Sequence, residues 1–137
     1  MSKSTNNLKL TTSTSNPTSS APTMNTLIKK LREFATERDW DQYHSPKNLA
    51  MALSVEVSEI MEILQWLTEE VSRNLDQKTL AKLKDEIGDV QIYLARLSDK
   101  LGFSPLDAAL EKLKKNALKY PPEKARGSAK KYTDFDK

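Results

Sequence analysis

The stretch "LAKLKDEIGDVQIYLARLSDKL", Leu80 to Leu101, decides the fold. Leu80, Leu83, Ile87, Val90, Leu94, Leu97 and Leu101 step by three and four without a break, laying one apolar stripe along an α-helix. Asp76 is placed to cap this helix and Gly102 to stop it. Upstream, Leu49, Leu53, Ile60, Ile63 and Leu67 form a second stripe, with Ser45 as cap and Pro46 in a first turn that needs no amide donor. The polar stretch "TEEVSRNLDQ" separates these two helices. An earlier helix is expected from about Thr26 to Asp39, burying Leu27, Ile28, Leu31, Phe34 and Ala35. A later one is restarted by "SPLD", with Ser104 as cap and Asp107 placed for a capping box. It carries Leu106, Ala109, Leu110, Leu113 and Ala117 and ends at "YPP". No strand pattern competes, so the expected fold is all-α, most simply a four-helix bundle.

The 137 residues suit one domain. Residues 1–23, rich in Ser, Thr and Asn, read as a disordered leader, with an organellar targeting segment weakly supported because acids and arginine are both missing. Residues 24–122 read as the all-α domain and 123–137 as a basic, weakly ordered tail. Without a run of 18 apolar residues or a secretory signal core, a soluble cytoplasmic protein is expected, with no membrane partner. The absence of cysteine excludes a disulfide framework and a thiolate metal site. A net charge of +3 is too small to imply nucleic-acid binding by itself. Residues 53–99 are acidic, whereas 112–131 are rich in lysine.

Glu56 occupies the slot missing from the second stripe, where a core side chain belongs. At about 100° per residue, Glu59 lies about 60° to one side of it on the same face. The third helix repeats the oddity: Glu86 and Asp89 are three residues apart on the flank of the leucine stripe, and Tyr93 continues that flank. A single pair of this spacing is ordinarily a solvated face; two pairs on successive helices, one of them inside an apolar stripe, make a shared crevice a real alternative. Four carboxylates brought together repel, so the cluster needs protons or cations. With one histidine, His44, and no cysteine, the donor set is hard oxygen, which favours Mg²⁺, with Mn²⁺ as a substitute, over Zn²⁺. Mg²⁺ in turn points to phosphate chemistry.

"EVSE" at 56–59 and "EIGD" at 86–89 resemble the metal signature of the all-α nucleoside triphosphate pyrophosphatases, the MazG-like superfamily. "FATERDW", "YHSPKNL", "EVSEIMEILQW", "DEIGDVQIYL", "NALKYP" and "KKYTDF" resemble, in the same order, its dCTP pyrophosphatase branch, from about residue 27 to the C-terminus. The resemblance implies cleavage of a nucleoside triphosphate to the monophosphate and pyrophosphate. Glu56, Glu59, Glu86 and Asp89 would be the catalytic metal ligands, and Glu59 is our choice for orienting the attacking water. Trp40, Trp66 and Tyr93 match positions that enclose the base, although core packing is the alternative for a tryptophan at a helix end. His44 lies in the matched connection, where either substrate contact or a capping role fits.

Asn116 interrupts the apolar stripe of the last helix, with Lys112, Lys115 and Lys119 within one turn and Tyr120 following. This resembles the family's phosphate-contacting element; a solvated basic helix end is the alternative for the same residues. Leu31 departs from the pattern, standing where vertebrate members carry a histidine near the base. Base preference is therefore open, and dUTP is an alternative substrate. The unbroken heptads also suit a homodimer or homotetramer interface, so a non-enzymatic helical oligomerisation module is a second reading. A nucleic-acid patch at 112–131 lacks an accompanying series of stacking aromatics, and no nucleic-acid partner is expected.

Overall fold

The computed structural model describes residues 21–135. The leader assigned to 1–23 falls almost wholly outside them. Each long helix begins where a side-chain oxygen can take up an orphan amide. Helix α1, Met24–Thr36, is capped by the Thr23 hydroxyl, which accepts from the Thr26 amide at 3.2 Å. Asn48 N–H donates to Ser45 Oγ at the start of α2, Pro46–Leu64. Asp76 caps α4, Gln77–Lys100, and Ser104 caps α5, Pro105–Lys119. Among the described residues there is no strand, and the architecture is all-α as expected.

Two helix ends explain where connections go. At the end of α4, Gly102 has φ 78°, Gly102 N–H donates to the Asp99 carbonyl and Phe103 N–H to the Ser98 carbonyl, both at 3.1 Å. This is the left-handed closure that glycine permits without strain. The end of α1 uses the same device with Asp39, at φ 55°, a residue that tolerates this region better than most. Asp39 N–H reaches the Thr36 carbonyl and Trp40 N–H the Ala35 carbonyl at 2.9 Å. Helix α1 therefore ends at Thr36, three residues before the expected Asp39, and the closure aims Trp40 back along it.

The polar link between α2 and α4 holds a further short helix, α3, Glu69–Arg73, capped by Thr68. After α5 the chain forms α6, Pro122–Ala125, and a 3₁₀ turn at Tyr132–Asp134. The tail, expected to be weakly ordered, folds back on the end of α5: Tyr132 and Phe135 pack edge-on against Tyr120 at 5.8 and 5.9 Å.

Helix α2 packs along α4, and α1 crosses α4 with a smaller contact. Ala35, Leu49, Leu83 and Ala95 form the buried apolar centre. The leucine stripe of α4 splits by edge: Leu83 is buried and Val90 and Leu97 partly so, whereas Leu80, Ile87, Leu94 and Leu101 remain exposed. Helix α5 touches α4 only slightly, and Leu106, Leu110 and Leu113 are all at least half exposed. Phe34, expected in the core, is exposed as well; its ring carries the Arg38 guanidinium at 3.7 Å and walls the cavity described next. No helix among the described residues is long and apolar enough to cross a membrane.

Candidate active site

Packing α2 against α4 brings the two acidic pairs to one place. Glu56, Glu86 and Asp89 each offer a carboxylate oxygen, and the three oxygens lie within 4.8 Å of one another. Burial raises the Glu56 carboxyl above the ordinary glutamate value, and the charges of Glu59 and Asp89 push it the same way. Glu86 is raised as well, first by hydrogen bonding with the Glu59 side chain, then by burial and by the charges of Glu59, Asp89 and Glu56. Glu59 thus stands against Glu86, outside the three-oxygen group. The donor set is all oxygen, as the sequence required for a hard cation. Oxygens around one Mg²⁺ at about 2.1 Å lie up to about 4.2 Å apart, so small side-chain rotations would close the group onto an ion.

A cavity of about 360 Å³ opens beside this group. That is within the range of small-molecule sites. Leu31 and Phe34 of α1, Trp40 and His44 of the following connection, and Asp89, Ile92, Tyr93 and Arg96 of α4 are among its walls. Asp89 belongs to both the acidic group and the cavity wall. Trp40 stands edge-on to Phe34 at 5.7 Å and to His44 at 6.4 Å, so the three rings form one aromatic corner of the cavity. Leu31, the position where the chain departs from the family pattern, does face this cavity.

The remaining predicted residues lie elsewhere in the chain. Trp66 follows the end of α2, is 85% exposed and does not line the cavity, which removes core packing within this chain as its explanation. Lys112, Asn116, Lys119 and Tyr120 sit on α5 or at its end and none of them lines the cavity. Lys119 Nζ lies 5.0 Å from the Tyr132 ring, and Asn116 is partly buried.

Sequence reasoning missed Arg96 and the ion pairs around it. The signal was present: Glu86, Asp89, Tyr93 and Arg96 step by three, four and three along one face of α4, and the pattern was followed only to Tyr93. Arg96 is 4% exposed, its guanidinium bonded to His44, Asp41 and Asp99. Asp41 could not have been found this way, because Arg96 lies 55 residues away in the chain; Asp99 extends the same series by a further step of three, and only its pairing with Arg32, 67 residues away, was beyond reach.

A model of the MazG-like family matches residues 51–135. The chain belongs to the MazG-like family. Over 116 residues it is 40% identical to mouse dCTP pyrophosphatase 1, covering 83% of this chain and 68% of that protein. The human dCTP pyrophosphatase 1 is 39% identical over the same shares. A crystal structure of a pyrophosphatase from Archaeoglobus fulgidus superposes with a TM-score of 0.68 and 40% identity, covering 72% of this chain and 92% of that one. Membership in the MazG-like family implies a divalent metal, and the acidic group between α2 and α4 has the chemistry to hold one.

Proposed function

We propose that this MazG-like protein is a Mg²⁺-dependent nucleoside triphosphate pyrophosphohydrolase that converts dCTP, and modified dCTP, to dCMP and pyrophosphate, removing unwanted nucleotides from the pool. The observation that carries the reading is that Asp89 joins the acidic group to an aromatic cavity, so a nucleotide bound there has its base and its phosphates served by adjoining parts of one site. The vertebrate dCTP pyrophosphatases, at about 40% identity, support the choice of base.

Glu56, Glu86 and Asp89 would hold Mg²⁺, whose charge would neutralise the triphosphate and whose open positions suit phosphate and water oxygens. Glu59, beside Glu86, would orient a water toward the α-phosphorus and accept its proton. The water oxygen bonds to the α-phosphorus, the bond to the α–β bridging oxygen breaks, and pyrophosphate leaves with that electron pair. Trp40 and Tyr93 would flank the base, and Trp66, outside the cavity of its own chain, would cover a base held at a neighbouring copy's site.

The exposed apolar edge of α4 and the open face of α5 favour pairing with further copies of the chain, as a homodimer or homotetramer. In such an assembly Lys112, Asn116, Lys119 and Tyr120, remote from the cavity of their own chain, would reach the phosphates at a neighbour's site.

Pyrophosphate release from the four dNTPs, the four NTPs and 5-methyl-dCTP, with Mg²⁺ and with EDTA, tests the proposal. Metal-dependent release concentrated on deoxycytidine triphosphates is the expected result. Preference for dUTP would shift attention to Leu31, and no release from any nucleotide would overturn the enzyme reading in favour of a helical assembly module.

A further inference from the structure

Arg96 is one of two buried polar residues among those described, and an ion at such a position has to be explained. Its guanidinium makes three separate contacts: Nη1 donates to Asp99 Oδ2 at 2.9 Å, Nη2 donates to Asp41 Oδ1, and Nε donates to His44 Nδ1 at 3.3 Å. Neither carboxylate depends on Arg96 alone. Asp99 also accepts from Arg32 Nε at 3.0 Å, and Asp41 from Lys100 Nζ at 2.6 Å. The contact that no other residue supplies is the one to His44.

A guanidinium has donors and no acceptor, so the imidazole nitrogen facing it must carry a lone pair. The proton of the neutral ring then resides on Nε2. Protonating Nδ1 would break the Arg96 bond and place a second cation against the first. The charged groups acting on the ring reinforce this: Arg96 and Lys100 outnumber Asp41. Burial, then the Arg96 charge, hold the His44 imidazolium below its ordinary pKa, with Lys100 adding to them and Asp41 opposing. His44 lines the cavity with Trp40 and Tyr93, and among the described residues its Nε2 has no hydrogen-bond partner.

We propose that Arg96 is a positioning residue for nucleobase recognition, holding His44 as the Nε2–H tautomer so that the cavity presents a fixed donor to an acceptor atom of the base. The inference rests on the nucleotide reading above and deepens it. A pyrimidine offers such an acceptor at its 2-oxo oxygen, and cytosine offers a second at N3, where uracil carries a proton. A ring free to exchange tautomers would present a lone pair for part of the time and repel either acceptor. The same guanidinium ties the Asp41–His44 connection to α4, so the donor is fixed in place as well as in kind.

His44 is the only histidine, so the tautomer can be read from full-length protein labelled with ¹⁵N-histidine with no assignment step. Long-range ¹H–¹⁵N spectra near neutral pH should show one neutral ring with the proton on Nε2. Arg96→Met, which removes the donors while Arg32 and Lys100 still pair the two aspartates, should give mixed tautomers. It should raise the KM for dCTP about ten-fold with little change in kcat, and leave thermal stabilisation by Mg²⁺ intact. His44→Ala should raise KM similarly, and adding Arg96→Met to it should raise KM no further, because the arginine acts through the histidine. An equal further rise in the double variant, or a wild-type ring that is charged, mixed or protonated on Nδ1, would overturn the inference while hydrolysis stands. If Arg96→Met does not fold, the wild-type spectrum and the His44→Ala kinetics decide the matter: a single Nε2–H ring with raised KM upholds it, and an unchanged KM overturns it. Absence of hydrolysis by the wild type would remove the nucleotide reading and the base-recognition role together.

Discussion

Truncating Trp66 separates a substrate contact from a packing contact because the ring has so little to lose within its own chain. It is 85% exposed, so only about 15% of its surface touches other residues. A tryptophan side chain that buries about 250 Å² when enclosed therefore buries about 40 Å² here, and at about 25 cal/mol per Å² that is about 1 kcal/mol as an upper bound. Stacking one nucleobase on an aromatic ring is worth about 1–3 kcal/mol, which corresponds to about 5- to 150-fold in binding. The ring follows the end of α2, seven residues on from Glu59. Trp66→Ala is therefore expected to raise the KM for dCTP at least five-fold, with kcat within about two-fold and a urea midpoint close to that of the parent. The assays are steady-state pyrophosphate release, urea titration and light-scattering mass. A KM within two-fold of the parent would refute the stacking argument. A loss of oligomer mass alongside it would show that the exposed indole is covered by another copy of the chain instead.

Three further outcomes follow from the same geometry. Glu56→Gln removes a carboxylate whose pKa is raised, meaning that its ionisation opposes folding as pH rises above about 4.5; differential scanning fluorimetry at neutral pH should show an unchanged or higher Tm without metal. The gain of about 2.7 kcal/mol that Mg²⁺ at about 100 times its Kd adds to the parent should disappear in this variant. Asp99 behaves in the opposite sense. Hydrogen bonding to Arg32 leads in holding its carboxyl below the ordinary 3.8, with the Arg32 and Arg96 charges adding and burial opposing. Its contribution is present above about pH 3.8 and is lost as pH falls through the depressed value, so Asp99→Asn should lower the urea midpoint at about pH 7 and narrow its fall below about pH 4. Leu49, 1% exposed between α2 and its neighbours, should cost about 3 kcal/mol as alanine in urea unfolding, with the KM of the surviving fold unchanged.

The helices and their ends were legible in the chain because their causes are local. Ser45, Asp76 and Ser104 cap through oxygens three residues from the amides they accept, and Gly102 closes α4 through its own φ. Glu56 was legible as an anomaly because a 3.6-residue period leaves a slot that a charge should not fill. The pairing of "EVSE" with "EIGD" needed only the assumption that two consecutive helices pack on each other, and the three-oxygen group at 4.8 Å is what that assumption yields.

Tertiary structure decided what depends on which faces meet. An apolar stripe records that a face wants burial but names no partner. The α4 stripe accordingly divides between Leu83 inside and Ile87 outside, and the α5 stripe stays open. Trp40 and Trp66 are alike as residues, yet the closure at Asp39 turns one into a cavity wall while the other projects from the end of α2. The Arg96 network joins residues 52 to 67 positions apart, across α1, the connection after it and α4. Spacing along a chain carries no information about such charges until packing brings them together and removes the water that would otherwise pair with each of them.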